Sequence, residues 1–550
     1  MSDRLDIICL HALDKVFPNP NSEMKPAAEG SALLNEVYSY QVAYSGDRLL
    51  HRVQVAVHSV LAPYIRLYSV GLVPSEYPIQ PDHDDDILSA EPGLYPDPLL
   101  PIDPIEGVIA VPGQWRSIWI TVDPAGQAAA GRYPIELVFT SEAGERLAGQ
   151  TFNLELINAK LPEQELIYTN WFHSDCLSTH YGTEVFSEEH WEIIGRFVET
   201  AARGGMNMIL TPVFTPPLDT EVGKERPTVQ LVDVVKEDGQ YRFGFSRLNR
   251  WIELCQSKGI RYFEISHLFT QWGAKHAPKI VATENGKPGR IFGWETDAFG
   301  AEYRAFLSAF LPELVAYLRE KGLEDKVYFH VSDEPSLNHM EAYRQASEML
   351  GQHVEGFPVI DALSDYDFYK YGLVKRPIPA SNHIDAFLEG GGRDLWTYYC
   401  VSQYKKVANR FIAMPSYRNR ILGYQLYKYN ISGFLHWGYN FWYSGLSRKS
   451  LNPFQSTDSN RWFPSGDGFV VYPGEQGEPI ESLRLRVFHD TLQDLRALRL
   501  LEKRIGRAEV LALIEEGLNA PLTFDEYPRN AEWIRQTRQR VNAKIAETAK

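Results

Sequence analysis

The chain has 550 residues, with 55 Lys and Arg against 71 Asp and Glu and a formal charge of -16. That length exceeds what one core usually serves, so two domains, or one large barrel with an attachment, are expected. The acidic surplus would repel a phosphate backbone or an anionic membrane, which argues against nucleic acid or membrane as a partner.

Residues 1 to 160 read as short alternating runs closed by Gly, Pro, Asp and Ser, among them "EVYSYQVAYSG", "HRVQVAVHSV", "QWRSIWITVDPAG" and "QTFNLELINA". Such β-branched and aromatic runs predict an antiparallel β-sandwich. The opening stretch "MSDRLDIICLHALDKVF" lacks a basic leader, and no later segment approaches the roughly 20 apolar residues of a membrane span. Cys9, Cys176, Cys255 and Cys400 show no paired spacing, which fits a reducing compartment, and a cytoplasmic protein is expected. Between the strands, "PIQPDHDDDILSAEPGLYPDPLLPIDP" is too proline-rich for regular structure and predicts a long ordered loop. Its acidic run could ligate calcium or simply be solvated.

After "NAKLPEQE" apolar strands alternate with longer segments, which signals βα units. Eight candidates follow: "LIYTNWFH", "MNMILTPVF", "IRYFEISHLF", "KVYFHVSDEP", "EGFPVIDALSD", "RPIPASNHI", "DLWTYYCVSQ" and "SGFLHWGYNFW". Their span of about 275 residues suits a (β/α)8 barrel. Ser187 is a candidate N-cap for the helix "SEEHWEIIGRFVETAARGG", and Asn338 with Glu341 suggests a capping box for "NHMEAYRQASEMLG". Residues 481 to 505 read as a long amphipathic helix, and the tail to Lys550 looks helical. The expected class is thus α/β, a TIM-like barrel over residues 161 to 510 preceded by a sandwich over 1 to 160 and followed by a helical tail over 511 to 550.

On this scheme Asp333 and Glu334 leave the fourth strand, on the face where barrels carry catalytic groups. Two adjacent carboxylates resist ionising together, so one would keep its proton near neutral pH and serve as general acid. The same dipeptide recurs as Asp525 and Glu526 in the tail, where no strand precedes it and a surface reading is natural. Pro335 and the apolar strand before Asp333 set the first pair apart. A retaining glycosidase commonly needs a second carboxylate after strand seven, but "LWTYYCVSQ" contains none. That favours attack by a 2-acetamido group of the substrate, with Glu334 as acid then base and Asp333 holding the acetamide N–H. Both acids reach one sugar only if the backbone departs from strand geometry, because neighbours on a strand point to opposite faces.

Trp437 and Tyr439 are candidates for the walls of a sugar subsite, or for core packing. Trp396, Tyr398 and Tyr399 end strand seven. One tyrosine hydroxyl there could bond the acetamide while the other faces the helices. His173, His267 and His436 follow strands one, three and eight and could bond sugar hydroxyls. They lie on separate strands without an HExxH motif, so neither a metal nor another cofactor is expected. Asp361 is the main rival carboxylate, able to restore an ordinary two-acid mechanism. Asn440, Trp442, Trp462 and Asp467 fall on a long final loop that could form a lid or subsite wall, and Asp467 contacts substrate or holds the turn.

With "HVSDEPS", "GFLHWGYNFW", "SGDGFVVYPG", "ESLRLRVFHDTLQDLRAL" and "GLYPDPLLP" in view, the sequence resembles glycoside hydrolase family 123, the β-N-acetylgalactosaminidases, and the related bacterial domain of unknown function 4091. The resemblance implies a sandwich and barrel, no metal, and retaining substrate-assisted hydrolysis, with the stabilising Asp at Asp333 and the general acid at Glu334. A small imported oligosaccharide with a terminal β-linked N-acetylhexosamine, galactosamine favoured, is the expected substrate. A two-carboxylate glycosidase on plain sugars and a non-catalytic carbohydrate-binding protein remain alternatives. The oligomeric state is not legible.

Overall fold

The computed structural model describes residues 4 to 19, 24 to 271 and 273 to 548; the first three residues of the opening stretch lie outside them. Two five-stranded sheets come first. One runs Leu5–His11, Tyr38–Gly46, Arg116–Val122, Ile65–Ser75, Gly93–Pro101 in spatial order; the other runs Glu29–Leu33, Arg146–Ile157, Gly131–Thr140, Leu50–His58, Val108–Ala110. All neighbours are antiparallel except the pair of Glu29–Leu33 with Arg146–Ile157. Alternate residues such as Tyr40, Val42, Ile118, Ile120, Leu137, Phe139 and Phe152 share one apolar core, as the period of two requires.

The proline-rich segment corrects the sequence reading. Gly93–Pro101, "GLYPDPLLP", is a nine-residue strand at the edge of its sheet, bulged between Val70 and Leu72 of its partner. Proline lacks the N–H a central strand needs, but an edge strand does not use it on the open side. The acidic run before it is partly solvated and partly held by ion pairs and hydrogen bonds. Asp84 meets the buried Arg418 guanidinium at 2.7 Å, Lys405 holds Asp82 at 2.5 Å, and Tyr417 donates to Asp86.

Each of the eight predicted apolar segments contains a strand: β1 (Ile167–Asn170), β2 (Met208–Thr211), β3 (Tyr262–Ile265), β4 (Val327–Tyr328), β5 (Ile360–Ala362), β6 (Arg376–Ile378), β7 (Trp396–Tyr398) and β8 (Gly433–His436). Six form a parallel sheet in the order β4, β3, β2, β1, β8, β7, while β5 and β6 pair with each other. Single parallel bridges, Phe329 to Val359 and Ala380 to Tyr398, join that pair to the two ends of the sheet. Inward residues alternate with outward ones. Met208, Leu210, Tyr328, Ile360, Ala362, Ile378, Ala380, Trp396, Tyr398 and Leu435 form one cluster, whereas Tyr168, Ile209, Phe263, Phe329, Tyr399 and Phe434 pack with the helices.

Helix α1 (Glu188–Arg203) starts as expected, with the Ser187 side chain accepting from the His190 N–H. Helix α2 (Met340–Gly351) does not. Its capping box is built one turn earlier by Ser336 and His339, through the 3-10 turn Leu337–His339, and Glu341 pairs with Arg344 instead. Helix α3 (Leu483–Ile505) and the tail helix α4 (Ala531–Glu547) are where the pattern placed them, capped by Ser482 and Asn530. A four-stranded sheet from the hairpins Asp233–Gly244 and Ile280–Phe292 was not anticipated. Its turns, Asp238-Gly239 and Asn285-Gly286, have positive φ at both residues, the type I′ signature of Asp-Gly and Asn-Gly.

Candidate active site

The β4 ladder ends at Tyr328, and the chain then leaves strand geometry. The Glu334 N–H bonds the Ala362 carbonyl at 3.1 Å, and Glu334 itself has φ 43°, a strained conformation for a non-glycine residue and one concentrated at functional sites. Glu334 is exposed, Asp333 partly so, and Pro335 buried. The two acids therefore do not point to opposite faces of a regular strand.

Beneath them is a buried polar assembly. Glu264, alone in the apolar β3 sequence "YFEI", accepts from Thr169 Oγ1 at 2.9 Å and Trp171 Nε1 at 2.8 Å, and meets His330 Nε2 at 2.5 Å. The other nitrogen of His330 is 3.4 Å from Asp361 Oδ1. Burial alone would lower the His330 pKa, but the charges of Glu264 and Asp361 outweigh it and raise the value to about 10, so the ring is an imidazolium. Asp361 Oδ1 also accepts the Val331 N–H at 2.9 Å and the Ser332 N–H at 3.3 Å, and Tyr343 donates to Oδ2. A side chain of β5 thus replaces the ladder partner that the β4 backbone loses.

This placement corrects the reading of Asp361. It is 0 % exposed and its oxygens are committed to His330, Tyr343 and the Val331 and Ser332 N–H groups, so it shapes the loop that carries the acids. Within the acid pair, Asp333 has a raised pKa. Burial first, then the Glu334 charge, push the Asp333 carboxyl well above the ordinary range, against the opposing effect of His330.

Tyr398 and Tyr399 divide as the period of two predicts. Tyr398 points inward and donates to Glu334 Oε1 at 2.6 Å, while Tyr399 faces the helices and donates to Asn419 Oδ1 at 3.1 Å. Trp396 also points inward but one layer deeper, against Tyr328 and 3 % exposed, away from the acids. Trp437 is half-buried, its Nε1 donating to Asp467 Oδ2 at 3.1 Å. Cys400 is buried, and burial, then the charges on Glu334 and Asp467, push its thiol up.

Five other candidates are buried in the surrounding structure. Tyr439 is 0 % exposed, stacks on Phe172 and donates to the Phe197 carbonyl of α1 at 2.9 Å. Asn440 bonds the His173 main chain in both directions. His173 Nδ1 accepts from Arg226, its Nε2 donates to the Trp437 carbonyl at 3.0 Å, and burial lowers its pKa to about 4. His436 is fully buried, accepting at Nδ1 from the Gly438 N–H. Asp467 is buried behind Trp437, where burial raises its carboxyl to about 7, and it accepts the indole N–H.

His267 stacks on His330 with ring centroids 4.3 Å apart and planes 22° apart. With Asp361 these residues bring ligand-type atoms within 4.8 Å of one another. A zinc ion must lie in the plane of each imidazole about 2.0–2.1 Å from nitrogen, which two stacked rings do not allow, and both His330 nitrogens already face carboxylates. The cluster is shaped as an ion pair.

The residues missed at first, Glu264, His330 and Tyr343, had a signal. A lone carboxylate inside an apolar strand must be paired, and His330 has the same inward parity as Tyr328.

Parallel strands under helices, with an acid pair and its tyrosine where the strands end, are an arrangement that glycoside hydrolases use. The chain belongs to glycoside hydrolase family 123: the family model "Glycoside hydrolase 123, catalytic domain" matches residues 171–501. A family 123 glycoside hydrolase from Clostridium perfringens, solved in a study of glycolipid glycan hydrolysis, shares the fold, with a TM-score of 0.75 at 15% identity over 99% of this chain and 97% of that one. A Parabacteroides merdae β-glucuronidase matches at TM-score 0.33 and 11% identity over 89% of this chain and 52% of its own, and a Lactobacillus rhamnosus β-glucuronidase at 0.33 and 9% over 90% and 68%. Neither carries an argument. No curated protein matches in sequence. No helix among the described residues is long and apolar enough to cross a membrane.

Proposed function

We propose that this glycosidase removes terminal β-linked N-acetylhexosamine, N-acetylgalactosamine favoured, by retaining substrate-assisted hydrolysis. The substrate's acetamide oxygen attacks the anomeric carbon while Glu334 protonates the departing glycosidic oxygen, and Glu334 then deprotonates the water that opens the oxazoline. Asp333 receives the acetamide N–H; its raised proton affinity strengthens it as acceptor and stabilises the cationic intermediate. Tyr398, already within hydrogen-bond reach of Glu334, donates to the acetamide oxygen when substrate arrives. The carrying observation is the acid pair on a strained turn, with the buried carboxylates Asp361 and Glu264 both engaged by His330.

The same reading takes β1 to β8 as a (β/α)8 barrel closed by the bridges at Phe329 and Ala380. It divides the chain into a sandwich at 1 to 160, a barrel at 161 to 510 and a helical tail. Four free, buried cysteines suit a reducing cytoplasm and a small oligosaccharide substrate.

The test is turnover of aryl β-glycosides with and without a 2-acetamido group, alongside Glu334→Gln. Turnover restricted to acetamido sugars, falling about 10²-fold or more in the variant, is expected; equal turnover of plain sugars would overturn the proposal.

A further inference from the structure

Five arginines are buried among the described residues: Arg226, Arg410, Arg418, Arg484 and Arg538, none more than 6% exposed. Four meet a carboxylate. Arg226 pairs with Asp175 at 2.7 Å, Arg418 with Asp84 at 2.7 Å, Arg484 with Asp97 at 2.8 Å, and Arg538 with Glu36 and Asp494 at 2.6 Å. A guanidinium keeps its charge where a lysine or histidine can shed it, so burying one calls for an anion beside it. Arg410, 1% exposed on the loop after β7, has no carboxylate within ion-pair distance among the described residues. Burial, the largest influence on all five, lowers the Arg410 pKa, whereas opposing charges outweigh it and raise the other four.

The groups around Arg410 face the same charge. Its Nη2 donates to the Gly438 carbonyl at 3.0 Å, and the Gly438 N–H donates to His436 Nδ1 at 3.0 Å, which places the His436 proton on Nε2. Arg410 Nε and Nη1, His436 Nε2 and Asp467 Oδ1 are all buried without a hydrogen-bond partner in the protein, and the last two are 3.5 Å apart. Arg410 lies close enough for its charge to bear on both residues. Buried polar atoms are nearly always paired, so four orphans around one guanidinium point to a ligand.

We infer that Arg410 and His436 hold a small monovalent anion of the halide class between the loops after β7 and β8. The guanidinium Nε–H and Nη1–H and the imidazole Nε2–H donate to it, and it supplies the counter-charge that the chain itself gives the other four arginines. A monatomic ion suits full enclosure, whereas a phosphate or sulfate brings oxygens that need further donors. Asp467 faces the site with Arg410, Arg484 and His436, its other oxygen takes the Trp437 N–H, and Asp219 adds a like charge. Burial raises its carboxyl to about 7, so near neutrality it takes up a proton, and Oδ1 turns from a repelling charge into a donor. Anion uptake is thereby coupled to proton uptake, and binding tightens as the pH falls through 7. The ion ties the β7 loop, where Asn409 bonds the Cys400 carbonyl at 2.8 Å, to the β8 loop that carries Trp437.

The test is the melting temperature of the full-length protein in sodium chloride and in equimolar sodium methanesulfonate, at about pH 6 and about pH 8. Chloride should raise it by about 2–4 °C at the lower pH and by less at the higher, and the difference between the salts should vanish in Arg410→Met, which removes the buried charge. Wild-type crystals soaked in bromide should show its anomalous signal against the Arg410 guanidinium and His436 Nε2, a readout that stands even where Arg410→Met fails to fold. Equal melting temperatures in the two salts, a chloride shift that survives Arg410→Met, or a water molecule at Arg410 in the bromide crystals overturns the anion site.

Discussion

Asp333 sits where its carboxyl is poorly solvated and beside Glu334, and that position has a stability consequence. Its folded pKa is raised, so the folded chain gains nothing from ionising it. The destabilisation is absent below about pH 4, the ordinary carboxylate value, grows as pH rises, and is complete above the raised folded pKa. Asp333→Asn should therefore raise the melting temperature at pH 8 by about 1–3 °C while abolishing most activity, with the stability gain vanishing towards pH 4. A variant less stable than wild type at pH 8 would contradict this. In the proposed mechanism Asp333 must be ionised to accept the N–H, so the acid limb of kcat/KM should also lie well above pH 4 and disappear in the variant's residual activity.

At the scale of elements, β4 and β5 meet through a side chain instead of a ladder, and Asp361 is the positioning residue. Asp361→Asn keeps an oxygen for the Val331 and Ser332 N–H groups but loses the charge facing His330, whereas Asp361→Ala loses both. We expect kcat to fall about tenfold in the first and about 10²-fold or more in the second, with KM changed little. A Glu264→Gln change strips the imidazolium of its nearer partner and should cost about 3–5 kcal/mol in denaturant unfolding. His330 supplies the pH check: its pKa is raised to about 10, so its stabilisation is full below about pH 6.5 and is lost as pH rises through 10.

These elements also show what the sequence discloses. The eight parallel strands were legible because apolar runs between turn signals survive without tertiary information, and the Asp238-Gly239 and Asn285-Gly286 hairpins were legible too, had the dipeptides been read. Asp333 and Glu334 stood out by position. Asp361 was misread because a carboxylate at a strand end looks the same whether it faces a cleft or a buried histidine. Tyr439 and Asn440 were misread because residues after β8 turn back towards α1 and His173, a direction that no local pattern encodes. Gly93–Pro101 was read as loop because proline rules describe central strands, and edge position is a tertiary fact.

Across the whole molecule, three of the motifs first noticed in the sequence converge on one ion pair. Asp97 of "GLYPDPLLP" receives Arg484 of α3 through Nε at 2.9 Å and Nη2 at 2.8 Å, and the Tyr472 hydroxyl of "VVYPG" at 2.5 Å. All are buried. The sandwich is therefore fixed to the helix that ends the matched family region. The tail joins in: Arg538 of α4 bonds both Glu36 of the sandwich and Asp494 of α3 at 2.6 Å. Arg484→Met leaves Asp97 uncompensated and should destabilise the chain by about 3–5 kcal/mol in urea unfolding, with part recovered by adding Asp97→Leu. Two separate unfolding transitions in the wild type would contradict N-terminal sheets coupled this tightly to the rest of the chain.

In the proposed mechanism the substrate's own acetamide is the nucleophile. The most direct measurement is kcat/KM for aryl β-N-acetylgalactosaminides whose acetyl group carries zero, one, two or three fluorines. Each fluorine weakens the carbonyl oxygen as a nucleophile, so the account predicts a steep, monotonic fall along the series; a flat series would show that a protein group performs the attack.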